Sequence, residues 1–258
     1  MRATIVTVDE FATALAEQQS ELRSLLDGLS SEEWSAPTRC EGWDVKDVVL
    51  HVAQTNEMAI ASVDGKFDEF LVEMGRGVAP AADVDEGAAR MVERDRAMSN
   101  GEVRDRFSTG AAELLARVDA ADPHARVQWV AGQLSVRTLT TTRLAETWIH
   151  SGDVAEAIGR TLAPGARLQH IARLAWRTLP YAFARAGRTM SGPVAFELVG
   201  PQGEAWAFRP DDAAVTTIHG DGVELCNVAA RRIDPATTGL RGEGPDAAAV
   251  LELVRTYA

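Results

Sequence analysis

Arg143-Leu144-Ala145-Glu146-Thr147-Trp148-Ile149-His150-Ser151-Gly152-Asp153 lies inside a helical pattern, with Leu139, Leu144, Ile149, Val154, Ala157 and Ile158 interleaved among polar positions. At about 100° per residue, Glu146 and His150 stand one turn apart, roughly 40° from each other on one face. A carboxylate and an imidazole stacked in this way hold one divalent metal between them when a third ligand arrives from elsewhere. Asp153, three residues past His150, is placed to accept from the imidazole nitrogen turned away from the metal. Its bland role is to finish the helical turn after Gly152. A Glu-x-x-x-His pair is common on helices, so the reading depends on a ligand upstream.

His51 is the best-placed third ligand. It lies beside the apolar stripe Val45, Val48, Val52, Thr55, Ala59 of a helix expected over residues 45–63, which Asp44 caps with Asp47 three residues on. The competing role for His51 is a core-edge histidine bonded to a neighbour. Of the five histidines, His124 follows Pro123 in a loop, His219 falls at a strand end and His170 belongs to the C-terminal half. Cys40, close before a helix N-terminus, is a candidate nucleophile or ligand, against the plainer role of a small buried residue in a tight loop. Trp34, Trp43, Trp129 and Trp148 read as core or pocket wall. Arg143, two turns before His150, is expected to brace its helix through a buried carboxylate or to serve an anion.

Working outward, Phe11, Leu15, Gln18, Leu22, Leu25 and Leu29 trace a first helix capped by Thr7, and Ser30 or Ser31 opens a short turn that Pro37 stops. Residues 64–85 read as irregular, because Gly75, Gly77 and Pro80 disfavour regular structure. A third helical region runs over 85–98, is broken or bent at Ser99-Asn100-Gly101, and resumes to about Asp119. Ser135 starts the long helix of the opening run. The first 163 residues therefore read as a four-helix bundle, an architecture that builds metal sites from facing helices. Ala163-Pro164-Gly165 is the expected linker. Beyond it come one helix over 168–188, a hairpin of 194–199 and 206–208 around Pro201-Gln202-Gly203-Glu204, a third strand over 215–218, and helices over 222–231 and 246–256. Residues 164–258 thus form a small α+β domain.

Composition narrows the function. A net charge of −12 on 258 residues argues against a nucleic-acid partner, which would need a basic face. No apolar run reaches the ~20 residues of a membrane span, and the first ten residues lack the organisation of a signal peptide, so the cytoplasm is the expected location. Two cysteines are too few for a disulfide framework. No Ser-His-Asp arrangement, Gly-x-Gly-x-x-Gly or P-loop stands out.

Residues 34–51 (WSAPTRCEGWDVKDVVLH) and 143–153 (RLAETWIHSGD), with a less specific match over 225–244 through Arg231-Arg232, Leu240 and Gly244, resemble the DinB-like metal-binding superfamily. The branch is that of mycothiol-dependent maleylpyruvate isomerase and its actinobacterial relatives. The resemblance covers most of the chain. It implies a four-helix bundle whose metal is held by His51, Glu146 and His150, then a sterol-carrier-like α+β domain. That domain supplies an active-site arginine, for which Arg231 is the match and Arg232 the neighbour. Zinc is the metal implied, mycothiol the thiol cofactor, and a small organic acid or electrophile the substrate. Arg231 would orient a carboxylate in a cleft between the two parts. Three functions remain open: a thiol-using isomerase or transferase, a thiol-independent cyclase, isomerase or hydrolase, and a non-catalytic metal- or ligand-binding protein.

Overall fold

The computed structural model describes residues 10–76, 81–130 and 132–256. The chain divides into two compact units, Met1–Leu162 and Ala163–Ala258. In the first, α1 (Glu10–Leu26), α2 (Ser31–Trp34), α3 (Val45–Val63), α4 (Phe67–Met74), α5 (Val84–Asp95) and α6 (Asn100–Ala120) precede a two-strand ribbon of β1 (Arg126–Val127) and β2 (Leu134–Ser135), which feeds α7 (Val136–Ala157). The four long helices α1, α3, α6 and α7 pack around one another as the expected bundle.

Their boundaries follow from capping. Ser30 caps α2 and Ser99 caps α6, each in a reciprocal capping box with Glu33 or Glu102. Ser99 therefore starts a new helix rather than bending an old one. Asp44 caps α3 by accepting from the Asp47 amide, but the Asp47 carboxylate pairs with Arg96 at 3.0 Å instead of returning to Asp44. Ser135 caps α7. The cap assigned to Thr7, and Gly77 and Pro80, lie outside the described residues. The segment expected to be irregular holds α4, because Gly75 ends that helix at its C-cap instead of preventing it. The core is continuous from Leu22, Leu25 and Leu26 through Val45, Val48, Val49, Val52 and Phe107 to Val154.

In the second unit, α8 (Leu168–Arg177) and α9 (Leu179–Arg185) replace the single helix expected over 168–188. Pro180 is the cause: it has no amide hydrogen to donate, and its ring excludes the carbonyl four residues back. The Thr178 hydroxyl donates to the Leu174 and Arg255 carbonyls at the break. There follow β3 (Val194–Val199), β4 (Ala205–Phe208), β5 (Thr216–Asp221), α10 (Gly222–Ala229), β6 (Arg241–Glu243) and α11 (Ala247–Leu253). The sheet order is β4-β3-β5-β6. The hairpin β3–β4 is antiparallel as expected, whereas β5 runs parallel to β3, with Phe196 beside Ile218. The short edge strand β6 has three exposed residues and no apolar alternation to announce it.

Helix α10 ends in a Schellman motif: the Arg231 amide donates to the Val228 carbonyl at 3.0 Å and the Arg232 amide to the Asn227 carbonyl at 2.9 Å. Arg231 holds the left-handed position with φ of 59°, the only non-glycine residue to do so among those described. Glycine ordinarily fills that place, because a Cβ there crowds the following carbonyl.

Candidate metal centre

Helices α3 and α7 bring His51, Glu146 and His150 together. His51 Nε2 donates to Glu146 Oε1 at 2.8 Å, and His150 Nε2 lies 3.4 Å from the same oxygen. The two imidazoles meet edge to face with centroids 5.1 Å apart, and the Trp43 ring lies 5.0 Å from that of His51. Both histidines are buried, while Glu146 keeps partial exposure. Behind His150, its Nδ1 donates to Asp153 Oδ2 at 2.9 Å, and the Cys40 thiol donates to the same oxygen at 3.4 Å. Asp153 is 1% exposed, so this carboxylate meets the imidazole and the thiol away from bulk solvent.

Burial and charge sort the ionisable groups. Burial pushes the His51 imidazole down, only partly offset by its bond to Glu146, which favours its neutral form. Burial acts the same way on His150, but the bonds to Asp153, Cys40 and Glu146 prevail and hold it well above the ordinary histidine value. Burial would raise the Glu146 carboxyl. The hydrogen bonds from His150 and His51 outweigh it, and the carboxyl lies well below its usual range. Anionic carboxylate and imidazole nitrogens facing one point are the donor types of a zinc site.

Spacing agrees with those donor types. With bonds of about 2.1 Å, tetrahedral zinc sets its ligands roughly 3.4 Å apart. The Nε2 of His150 already stands at that distance from Glu146 Oε1, and all three donors lie within 4.8 Å of one another. The His51–Glu146 contact would open by about half an ångström to match. The two histidines differ in support: His150 has Asp153 behind it, whereas His51 Nδ1 is buried without a partner. The residues fit a divalent ion.

Among the described residues, Cys40, His150 and Asp153 form the one other cluster of this kind, sharing His150 with the first. His124 is exposed, and His219 pairs at 3.9 Å with Glu197, so neither competes. His170 lies on α8 in the second unit. Cys226 is fully buried, its thiol bonded to the Leu168 carbonyl and pushed up by burial, which leaves it inert. Arg231 is exposed in the second unit, its guanidinium without a hydrogen bond or ion pair to the described residues, beside an open depression lined with Arg232, Asp234 and Glu252.

The profile of the mycothiol maleylpyruvate isomerase N-terminal domain matches residues 15–155. The chain belongs to that family. Membership places it among enzymes of the isomerase or transferase kind. Two uncharacterized proteins of Mycobacterium tuberculosis, from strains CDC 1551 and H37Rv, are each 28% identical over 251 residues, spanning 96% of this chain and 95% of theirs. The crystal structure of a mycothiol-dependent maleylpyruvate isomerase matches with a TM-score of 0.62 at 16% identity, covering 93% of this chain and 95% of that one. A variant of that enzyme with a histidine replaced by alanine matches at 0.60 and 17%, with the same coverage. The likeness extends over both units, so the bundle followed by an α+β unit is the architecture of the solved enzyme as well. No helix among the described residues is long and apolar enough to cross a membrane.

Proposed function

We propose that this protein is a metal-dependent isomerase or thiol transferase of small organic acids, with His51, Glu146 and His150 holding a divalent ion, zinc by donor chemistry, and mycothiol as the thiol cofactor. The observation that carries the proposal is the convergence of both Nε2 atoms on one Glu146 oxygen, with Asp153 fixing the ring of His150. A zinc ion held by these three side chains would supply Lewis-acid chemistry, stabilising a thiolate or polarising a carbonyl. Each side chain then has a task. Asp153 holds the Nδ1 proton of His150, so that Nε2 would be the nitrogen to give up its proton and ligate a bound ion. Trp43 and the buried helix faces keep water from the imidazoles.

An external thiol fits the state of the chain's own two. Cys226 is sealed in the second unit, and the Cys40 thiol is turned onto Asp153. Arg231 is assigned the substrate carboxylate, a task suited to its planar fork. Its support is the left-handed backbone that the residue maintains although glycine would be easier there.

The test is elemental analysis of the purified protein beside His51→Ala, Glu146→Ala and His150→Ala, with turnover of maleylpyruvate measured with and without mycothiol. Each substitution is expected to lower bound metal and remove activity. Full metal retention in all three variants would refute the ligand set, and thiol-independent turnover would remove mycothiol from the proposal.

A further inference from the structure

Helices α3 and α7 make a second contact directly beside the first. His51 faces Glu146, and Thr55, four residues on, faces Arg143, three residues back: Arg143 Nη2 donates to Thr55 Oγ1 at 2.8 Å. The numbers run in opposite senses, so the helices are antiparallel along this seam, and the second rung lies about 4.5–6 Å below the first at 1.5 Å per residue. Arg143 is 3% exposed. A guanidinium this deeply buried ordinarily meets a carboxylate, because an unpaired buried charge is costly. Here no carboxylate of the described residues lies within ion-pair distance, and the one hydrogen bond is to a neutral hydroxyl. Its Nε is sealed from solvent with no acceptor, and its guanidinium stands over the Trp129 ring at 5.8 Å. The Glu146 carboxylate acts on this guanidinium through space, without a hydrogen bond or an ion-pair contact.

We infer that Arg143 is an anion subsite of the bundle, holding a carboxylate of a small-molecule ligand one helical turn below the His51–Glu146–His150 centre, with Trp129 and Thr55 fixing the plane of its fork. This rests on the reading of that centre as the reacting site. The vacant Nε–H of the guanidinium can donate to a carboxylate oxygen, and burial strengthens the pairing. The spacing selects acids whose reacting carbon lies a few bonds from the carboxylate. A bound carboxylate also supplies the buried Nε–H with the acceptor that the described residues do not give it. Arg143 is thus a binding residue in the first unit, independent of the task assigned to Arg231.

The probe is maleate, a short dicarboxylate, with uncharged maleamide as the control, titrated by tryptophan fluorescence into wild type, Arg143→Gln and Arg143→Lys. Each protein is measured as purified and after metal removal by a chelator, so that coordination by the metal is separated from pairing with Arg143. Wild type is expected to bind maleate saturably in both forms and maleamide in neither. Arg143→Gln should weaken maleate by about 10- to 100-fold in both forms, as loss of charge-assisted bonds does, with metal content unchanged and Tm equal or higher. Should Arg143→Gln fail to fold, Arg143→Lys retains the charge and loses the fork, and a weakening of about tenfold is expected from it. Wild-type maleate affinity in either folded variant overturns the inference, as does absence of binding to metal-free wild type. A lower Tm with unchanged affinity would make Arg143 a brace. If the three metal-ligand variants retain full metal while maleate binding still depends on Arg143, the metal centre falls and the anion subsite stands.

Discussion

Arg231→Gly separates a structural from a functional arginine, because the two roles predict opposite signs. Arg231 occupies the left-handed residue of the Schellman motif that ends α10, with φ of 59°. For an L-residue that conformation costs about 1–2 kcal/mol. Glycine removes the strain but adds about 0.5–1 kcal/mol of backbone entropy to the unfolded chain. The side chain makes no hydrogen bond or ion pair with the described residues to offset the change, and it is exposed. The net expectation is a gain of about 0.5–1 kcal/mol. For a unit the size of Ala163–Ala258 unfolding by itself, that is a rise in Tm of roughly 2–8 °C.

Thermal melts followed by circular dichroism read the first quantity, and turnover of maleylpyruvate with mycothiol reads the second. Arg231→Ala is the comparator: it keeps the strain and removes the guanidinium, so its stability should stay within about 0.5 kcal/mol of wild type. Both variants should lose activity while metal content stays at the wild-type level. A destabilisation of Arg231→Gly by more than about 1 kcal/mol would show that the side chain holds the fold. Wild-type turnover in either variant would refute the carboxylate role, and the left-handed arginine would then be a strained cap and nothing more.

Asp153→Asn removes the acceptor behind His150 and should weaken metal affinity about 10- to 100-fold, measured by competition with a chromogenic chelator; unchanged affinity would make Asp153 a helix-end residue. Phe107→Ala empties the fully buried centre of the bundle and should cost about 3–5 kcal/mol in urea unfolding, a smaller loss implying that α3 and α6 collapse into the space. Acid stability should depend on Asp95. Burial would raise its carboxyl, but hydrogen bonds from Arg106, Gln54 and Arg94 hold it below its ordinary 3.8. A depressed folded value stabilises the protein above the unfolded one, and the contribution disappears as pH falls through the folded value. The stability difference between wild type and Asp95→Asn should therefore be flat from pH 5 to 7 and shrink below about pH 3.8; a difference that persists at pH 2 would assign Asp95 a role independent of charge.

What the sequence discloses depends on whether a signal is local. The caps at Ser30, Asp44 and Ser135 are local, a hydroxyl or carboxylate three residues before a backbone amide, and they place those helix starts correctly, whereas Ser99 reads as a break or bend until its capping box is seen. Breakers are ambiguous in the same window. Gly75 reads as irregular chain when it terminates α4, and the effect of Pro180 is lost inside the apolar periodicity of residues 168–188. Strand β6 has no local signal at all, since Arg241 and Glu243 are exposed and its pairing with Thr217 and His219 is non-local. The metal centre divides along the same line. Glu146, His150 and Asp153 share one helix and can be related by angle, whereas the contact of Cys40 with Asp153 joins a loop to α7 across 113 residues. The Arg143–Thr55 rung is an intermediate case. Neither residue points to the other until His51 is set against Glu146, and the antiparallel seam then leaves Thr55 facing Arg143 by helix geometry alone. Arg143 looks like a brace in sequence because a buried arginine calls for a carboxylate. The structure supplies a hydroxyl, an aromatic face and the through-space charge of Glu146 instead, which leaves the buried Nε–H to be answered by something that binds.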